Sequence, residues 1–263
     1  MEMNDAGEAL RLERAPGGIA WIRIERPQTR NAMSREMWRR LGALVAEVER
    51  DASLRALVLC GTPAAFVSGA DIVDFATVQA ADGVTYEAEV EATLAALEGL
   101  DIATIAAVSG ACTGGGAVLA CACDLRIGTA DARVGVPIAR TVGNVTTARN
   151  VARLAAVVGR PRVLAWILTA QLSDALAAER YGFFLEVVPD FEALLERAQM
   201  VGKTVAANAP LTIAAAKELG RRLSQAVATV EDRDLLERCY GSADFREGVA
   251  AFVGKRAARF EGR

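Results

Sequence analysis

The chain has 263 residues, of which 52% are hydrophobic and 24% are charged, and its net charge is −3. This composition fits an α/β domain with a small appendage or two modest domains, and it argues against disorder and against a nucleic-acid partner. The chain contains no histidine, which excludes Ser-His-Asp and Cys-His catalysis and most catalytic zinc sites. Any acid–base chemistry must therefore use Asp, Glu, Cys, Tyr, Lys or ordered water.

The cysteines and the hydropathy indicate the compartment. Five cysteines, an odd number in a long chain, predict reduced and buried thiols rather than a disulfide framework. Residues 1–10 lack an apolar signal core, and no apolar run reaches the roughly 18–20 residues of a membrane span. We therefore expect a cytoplasmic protein with no membrane and no metal site.

The first half of the chain alternates short apolar runs with segments of helical spacing. Strands are predicted at 19–25, 55–60, 102–108 and 124–129, and helices after Ser34, at 84–98 and before Cys123. Strands that are joined by helical crossovers pair in parallel. The pattern therefore predicts an α/β fold with a mostly parallel sheet.

The second half of the chain is helical from about residue 144, with one last short strand at 187–188. Residues 244–263 form an amphipathic segment, which is typical of a helix that packs on another surface. We divide the chain into a core region, 1–199, and a helical C-terminal region, 200–263.

Two glycine-containing loops, 68–72 and 110–116, each follow a predicted strand and precede a helical stretch. The first N–H groups of a helix are unpaired, and two such groups from different loops can hold one oxyanion. That arrangement suits a thioester carbonyl that becomes an enolate. The alternative interpretation is a pair of tight turns without a ligand. Neither G-x-G-x-x-G nor G-x-x-x-x-G-K-[ST] is present at these positions, which disfavours a nucleotide enzyme.

Several motifs in a fixed order resemble the crotonase superfamily, the enoyl-CoA hydratase/isomerase family, over residues 8–263. They are Arg26-Pro27, Asn31-Ala32, residues 66–72 (FVSGADI), residues 105–110 (IAAVSG), Gly114-Gly115-Gly116, Cys123-Asp124-Leu125, residues 244–252 (DFREGVAAF) and Lys255-Arg256. The order of many motifs is far more specific than any one of them.

The resemblance implies an α/β fold, a crotonase-like spiral of ββα repeats with a helical C-terminal trimerisation region. It also implies a homotrimer or a hexamer built as a dimer of trimers. The expected substrate is an acyl-CoA thioester, so that coenzyme A is part of the substrate and no separate cofactor is needed.

The same resemblance assigns roles to individual residues. The backbone N–H groups of Ala70 and Gly115 would form the oxyanion hole. The backbone around Ala32, Ser68 and Ile72 would border the adenine and pantetheine of CoA. Lys255 would approach the CoA phosphates, its own or those of a neighbouring subunit, with a solvated surface lysine as the alternative.

The chain departs from the family pattern at both catalytic glutamates of the hydratases. The matching positions are Val118, just after the glycine triplet, and Ile138, just after Pro137. Hydration of an enoyl thioester needs a base for water and an acid at the α-carbon. Because Val and Ile can supply neither, ordinary hydratase activity is disfavoured.

Other side chains are candidates for the missing chemistry. Arg140 could hold a carboxylate or carbonyl of the acyl group, with a structural salt bridge as the alternative, and Asn144 could cap the following helix. A base is expected first among the acids and the tyrosine between the two glycine loops, namely Asp74, Tyr86, Glu87, Glu89 and Glu91.

Three hypotheses follow. The first is a lyase or isomerase that stabilises a thioester enolate and uses non-standard acid–base residues. The second is a homologue that binds acyl-CoA without turning it over. The third, a serine peptidase of the same architecture, would need a Ser-Lys mechanism because histidine is absent.

Overall fold

The computed structural model describes residues 9–75, 80–225 and 233–261, which form two sheets surrounded by helices. The strands are β1 Leu10–Ala15, β2 Ile19–Ile24, β3 Ala56–Cys60, β4 Ala65–Val67, β5 Ala103–Val108, β6 Ala111–Thr113, β7 Leu125–Thr129, β8 Arg133–Gly135, β9 Ser173–Asp174 and β10 Glu186–Val188. One sheet has six strands in the order β1-β2-β3-β5-β7-β10, and the other has four in the order β4-β6-β8-β9.

The helices are α1 Arg35–Arg50, α2 Ala80–Glu98, α3 Gly115–Ala122, α4 Ile138–Thr141, α5 Ala148–Val158, α6 Arg160–Thr169, α7 Ala175–Arg180, α8 Phe191–Ala206, α9 Pro210–Gln225, α10 Arg233–Tyr240 and α11 Ala243–Val253. The helix predicted after Ser34 is present, and Ser34 caps it, because its side chain accepts a hydrogen bond from the Met37 N–H. Within the described segments, no helix is both long and apolar enough to cross a membrane.

From β3 to β8, successive strands along the chain alternate between the two sheets. The pairs β3–β4, β5–β6 and β7–β8 each give one strand to the large sheet and one to the small sheet, and a helix follows each pair. All pairings are parallel except β1 with β2 and β8 with β9. The predicted spiral of ββα repeats is confirmed. The spiral brings the ends of neighbouring ββα units close together.

The large sheet is covered on both faces. On β2, Ile22 belongs to the main core beneath helices α1 to α3. Ile19 and Trp21 lie on the opposite face, where they pack with Leu194 and Val201 of α8. A strand that is buried on both faces reads as a continuous apolar run, which is why the sequence identified these strands well.

The predicted division at residue 199 falls inside α8. This helix packs against the large sheet, because Leu194, Ala198 and Val201 belong to the same cluster as strand residues such as Val58. In the structure the region beyond the sheet therefore begins after Ala206, where α8 ends and α9 follows. Helices α10 and α11 return to the main core through Leu236, Tyr240 and Phe245.

Candidate functional site

A cavity of about 600 Å³ opens where the first turns of the spiral meet helices α2, α3, α4 and α10. Its wall includes the three residues predicted to border CoA, which are Ala32, Ser68 and Ile72. It also includes both predicted oxyanion donors, Ala70 and Gly115. The remaining lining includes Trp38, Tyr86, Glu87, Val90, Thr113, Val118, Val136, Pro137, Ile138, Thr141, Val142, Asn144, Val145, Thr146, Asn150, Tyr240 and Phe252.

Backbone hydrogen bonds hold the loops of this wall together. The Met33 N–H donates to the Gly69 carbonyl at 2.8 Å, and the Asp71 N–H donates to the Met33 carbonyl at 2.9 Å. The Thr113 hydroxyl donates to the Ser68 carbonyl at 2.7 Å, which ties the second glycine loop to the first. The two loops are therefore fixed relative to one another before any ligand binds.

An ion pair beneath the first loop reinforces this arrangement. Arg26 donates to the Asp71 carboxylate at 2.5 Å and to the Ala32 carbonyl at 3.3 Å. The other carboxylate oxygen of Asp71 accepts from the Val73 N–H at 3.1 Å, so this side chain caps the short turn that follows it. The Ala70 N–H belongs to the Gly69–Ala70 peptide, whose carbonyl accepts from Met33, and Asp71 anchors the chain on the other side of Ala70.

Ala70 and Gly115 lie close together on the cavity wall. A Cβ built on Gly115 would be 3.9 Å from the Ala70 nitrogen. Gly115 is the first residue of α3, so its N–H has no intrahelical partner. Within the described residues neither N–H donates to a backbone carbonyl. Two adjacent and unoccupied donors at a helix N-terminus favour an anionic oxygen.

The approach of α3 to the first loop depends on Gly116. A Cβ at this position would lie 2.0 Å from the Val67 carbonyl oxygen. Any side chain would therefore push α3, and the Gly115 N–H with it, away from the first loop. The glycine triplet is explained by close packing in addition to turn geometry.

The wall beyond the two N–H groups is apolar at the positions of the family glutamates. Val118 is only 4% exposed, and Ile138 is half-buried at the start of α4. Both line the cavity with Val136, Val142 and Val145. These side chains can exclude water from an acyl group but cannot transfer a proton.

A carboxylate does reach the cavity, from helix α2. Glu87 is 9% exposed, and its Oε1 accepts a hydrogen bond from the Tyr240 hydroxyl at 2.6 Å. The Asn144 side-chain N–H donates to the same Tyr240 oxygen at 3.2 Å. All three residues line the cavity, although they come from α2, α10 and the segment before α5.

Burial and the charge of Glu87 raise the pKa of Tyr240 well above its ordinary value. Burial, followed by the charge of Glu87, also raises the pKa of the neighbouring Tyr86. Both phenols therefore keep their protons at neutral pH. Tyr240 acts as a hydrogen-bond donor to the carboxylate of Glu87.

The structure distinguishes among the candidate bases that lie between the two glycine loops in the chain. Tyr86 and Glu87 line the cavity. Asp74 is exposed and accepts from the Arg35 N–H at 2.6 Å. Glu89 forms a bidentate pair with Arg35, both contacts at 2.7 Å, and Glu91 pairs with arginines of α5.

Among the described residues, Arg140 and Lys255 do not line this cavity. Arg140 is exposed on α4, and Lys255 is exposed just after α11. The acyl-binding role of Arg140 and the CoA-phosphate role of Lys255 therefore remain predictions. The prediction that Asn144 caps the next helix is wrong, because Thr147 accepts from the Asn150 N–H and is the N-cap of α5.

The sequence did not single out Tyr240 or the cavity role of Trp38. Tyr240 is 153 residues away from Glu87 along the chain, and it reaches Glu87 because its ring lies over Gly83. A Cβ on Gly83 would be 2.4 Å from that ring. A glycine one turn before a glutamate in a helix was the only available signal, and it is a weak one.

All five cysteines are unpaired in the structure, and four of them are buried, whereas Cys239 is partly exposed. Burial raises the pKa of Cys121 to about 11 and that of Cys112 well above its ordinary value. Such thiols are poor nucleophiles. Across the described ranges, no group of three or more Cys, Asp or Glu residues is arranged to hold a metal ion.

A second cluster of charges lies at the far end of α2. Arg153 of α5 donates to Glu98 at 2.5 Å and to Glu91 at 3.2 Å, and it also donates to Asn150 at 2.5 Å. Its side chain is only 6% exposed. Burial lowers the pKa of Arg153, but Glu98 and Glu91 outweigh that effect and raise it above the ordinary value. This network holds α5 against α2.

Comparison with known proteins agrees with the fold. A probable enoyl-CoA hydratase, echA8 of Mycobacterium bovis, is 32% identical over 92% of this chain and 94% of its own length. A solved enoyl-CoA hydratase/carnithine racemase from Magnetospirillum magneticum is 31% identical, covers 97% of this chain and 96% of its own, and has a TM-score of 0.79.

A solved methylmalonyl-CoA decarboxylase covers 97% of this chain and 99% of its own with a TM-score of 0.87, but at 22% identity it shows the fold alone. The family model described as enoyl-CoA hydratase/isomerase matches residues 14–263. The chain therefore belongs to the enoyl-CoA hydratase/isomerase family.

Proposed function

We propose that the protein is an enzyme that binds an acyl-CoA thioester and stabilises its enolate with the N–H groups of Ala70 and Gly115. The observation that supports this most is the pair of adjacent N–H groups on one cavity wall, without backbone acceptors among the described residues. As negative charge grows on the thioester oxygen, two pre-positioned donors stabilise the transition state more than the ground state.

The reaction differs from ordinary enoyl-CoA hydration. Val118 and Ile138 occupy the positions that resemble those of the hydratase glutamates, and both line the cavity. Without carboxylates there, no residue at these positions can activate water. A lyase or isomerase reaction, in which a proton is removed from or returned to the α-carbon, suits an apolar acyl pocket better.

Further residues are proposed to bind the CoA part of the substrate. The backbone around Ala32, Ser68 and Ile72 would hold the adenine and pantetheine, and Lys255 would meet the phosphates. The chemistry requires no cofactor besides the CoA of the substrate. A cytoplasmic homotrimer, or a hexamer of two trimers, is the proposed form of the protein.

The direct test uses a chromophoric thioester such as 4-(dimethylamino)cinnamoyl-CoA. Hydrogen bonds to the thioester oxygen polarise the conjugated system, so binding in the proposed site should shift the absorption band to longer wavelength. The corresponding thioether, which lacks the carbonyl, should bind more weakly. Binding without a red shift, or no binding of either compound, would contradict the oxyanion assignment.

A second measurement separates this proposal from ordinary hydration. Crotonyl-CoA should bind without loss of its enoyl absorbance, because Val118 and Ile138 cannot activate water. Rapid loss of that absorbance would show that another group serves as the base for water. The alternative function, a homologue that binds acyl-CoA without turnover, predicts the red shift but no exchange of α-protons with solvent for any acyl group.

A further inference from the structure

The residues of the Glu87 group, namely Glu87, Tyr240 and Asn144, are assembled from three parts of the chain. Helix α2 supplies the carboxylate, α10 supplies the phenol and the segment before α5 supplies the amide. Glu87 is 9% exposed and Tyr240 is 1% exposed. Burial of a carboxylate is costly unless it is hydrogen-bonded, so a structure retains one at a cavity wall only with such partners.

A phenol, that of Tyr240, is one partner of Glu87. Glu89, Glu91 and Glu98 each pair with an arginine. Glu87 accepts from Tyr240, whose pKa is raised, so that the phenol donates without giving up its proton. The Tyr240 hydroxyl fixes the orientation of the Glu87 carboxylate at the cavity wall through this hydrogen bond.

Gly83 shows that the arrangement depends on a specific fit. The Tyr240 ring lies where a side chain of residue 83 would be, with ring atoms 2.4 and 2.5 Å from an added Cβ. Residues 83 and 87 are on the same face of the helix. The Tyr240 ring therefore crosses α2 at Gly83, and its hydroxyl donates to the carboxylate of Glu87 one helical turn later.

We infer that Glu87 is the proton-transfer residue of the site, and that Tyr240 and Asn144 position it; this rests on the proposed function. The carboxylate takes a proton from the α-carbon of the bound acyl thioester. The C–H electron pair becomes the Cα–C1 π bond, and the carbonyl π pair moves onto the oxygen held by Ala70 and Gly115. Return of a proton from Glu87 to carbon completes the exchange or an isomerisation.

Tyr240 is a positioning residue in this scheme. Its hydroxyl holds Oε1 of Glu87, and the Asn144 N–H fixes the orientation of that hydroxyl by donating to its oxygen. Loss of the phenol hydroxyl should slow proton transfer without lowering the affinity for the thioester, because the oxyanion donors lie on other elements.

The experiment measures deuterium incorporation into butyryl-CoA, 3-butenoyl-CoA and phenylacetyl-CoA in D₂O by mass spectrometry, with the full-length protein. Wild-type protein should exchange at least one of them. Glu87→Gln should lower that rate by about 100-fold or more, the range for loss of a general base. The red shift of the chromophoric thioester should survive in this variant.

Glu89→Gln is the matched control, because it makes the same chemical change on the same helix at a residue that pairs with Arg35. It should leave exchange unchanged. Tyr240→Phe should lower the exchange rate about tenfold at unchanged affinity for the chromophoric thioester, in the range of one lost hydrogen bond to a charged group.

The outcomes separate the two proposals. If Glu87→Gln exchanges protons at the wild-type rate, or if wild-type protein shows the red shift but exchanges none of the three thioesters, the role of Glu87 is overturned while the oxyanion assignment stands. If wild-type protein gives no red shift, the proposed function fails, and the role of Glu87 fails with it.

Discussion

Helix α2 has two ends that use the same residue type differently. At its C-terminal end Glu91 and Glu98 neutralise the buried Arg153 of α5. Nearer its N-terminal end Glu87 accepts from Tyr240 at the cavity wall. The difference teaches that glutamates of one helix can have partners of different chemistry, a guanidinium for Glu91 and a phenol for Glu87, and we propose a role in proton transfer only for the glutamate at the cavity wall.

The largest effect is expected from breaking the structural end. Arg153→Met leaves Glu91 and Glu98 partly buried without their main cation, and removal of one partner of a buried pair typically costs about 3–5 kcal/mol of unfolding free energy. Urea unfolding at pH 7 measures this. Arg149→Met, which removes an exposed arginine that also pairs with Glu91, should cost at most about 1 kcal/mol. Similar costs for both variants would contradict the assigned difference.

The fit at the other end can be tested through Gly83. Gly83→Ala places a methyl group in the space of the Tyr240 ring, and overpacking of this kind costs about 1–3 kcal/mol. Gly220→Ala is the matched control, because Gly220 lies within α9 and an added Cβ there meets nothing within 4 Å. It should stabilise the protein by roughly 0.5–1 kcal/mol. A stabilising effect at both positions would show that Tyr240 does not lie on α2.

Neutralising one glutamate at each end sharpens the comparison. Glu98→Gln weakens a charged hydrogen bond to buried Arg153 and should cost about 1.5–3 kcal/mol. Glu87→Gln should change stability by less than about 1 kcal/mol or increase it, because groups placed for function are often not optimal for stability. Thermal unfolding of both variants provides the measurement. A larger loss for Glu87→Gln would make Glu87 a structural residue.

The smallest effect concerns Glu89, between the two ends. Hydrogen bonds from Arg35 lower the pKa of Glu89 to about 2, below its unfolded value of about 4.3. The carboxylate therefore stabilises the fold above pH ~4.3, and this contribution is lost as the pH falls toward ~2. Glu89→Gln should cost about 0.2–1 kcal/mol at pH 7, and the difference from wild type should shrink at pH 3. A difference that is independent of pH would exclude the ion pair as its cause.

The elements that the sequence predicted well are those with a strong local signal. Strands β2, β3, β5 and β7 are apolar runs, and the helix after Ser34 has both a cap and an apolar face. Strands β4, β6, β8 and β9, which have only two or three residues each, were missed, although the equally short β10 was predicted. Runs of that length carry no periodicity, and the strands exist only because the spiral brings them together.

At the site, the sequence determined the two glycine loops and the absence of carboxylates at positions 118 and 138, and the family resemblance led to the proposed backbone donors at Ala70 and Gly115. These depend on local order along the chain. Only the tertiary structure decided which acid reaches the cavity, because Asp74, Glu87, Glu89 and Glu91 are alike in sequence. Their roles were set by side chains far away along the chain, Tyr240 for Glu87 and Arg153 for Glu91, and such contacts exist only after the helices have packed.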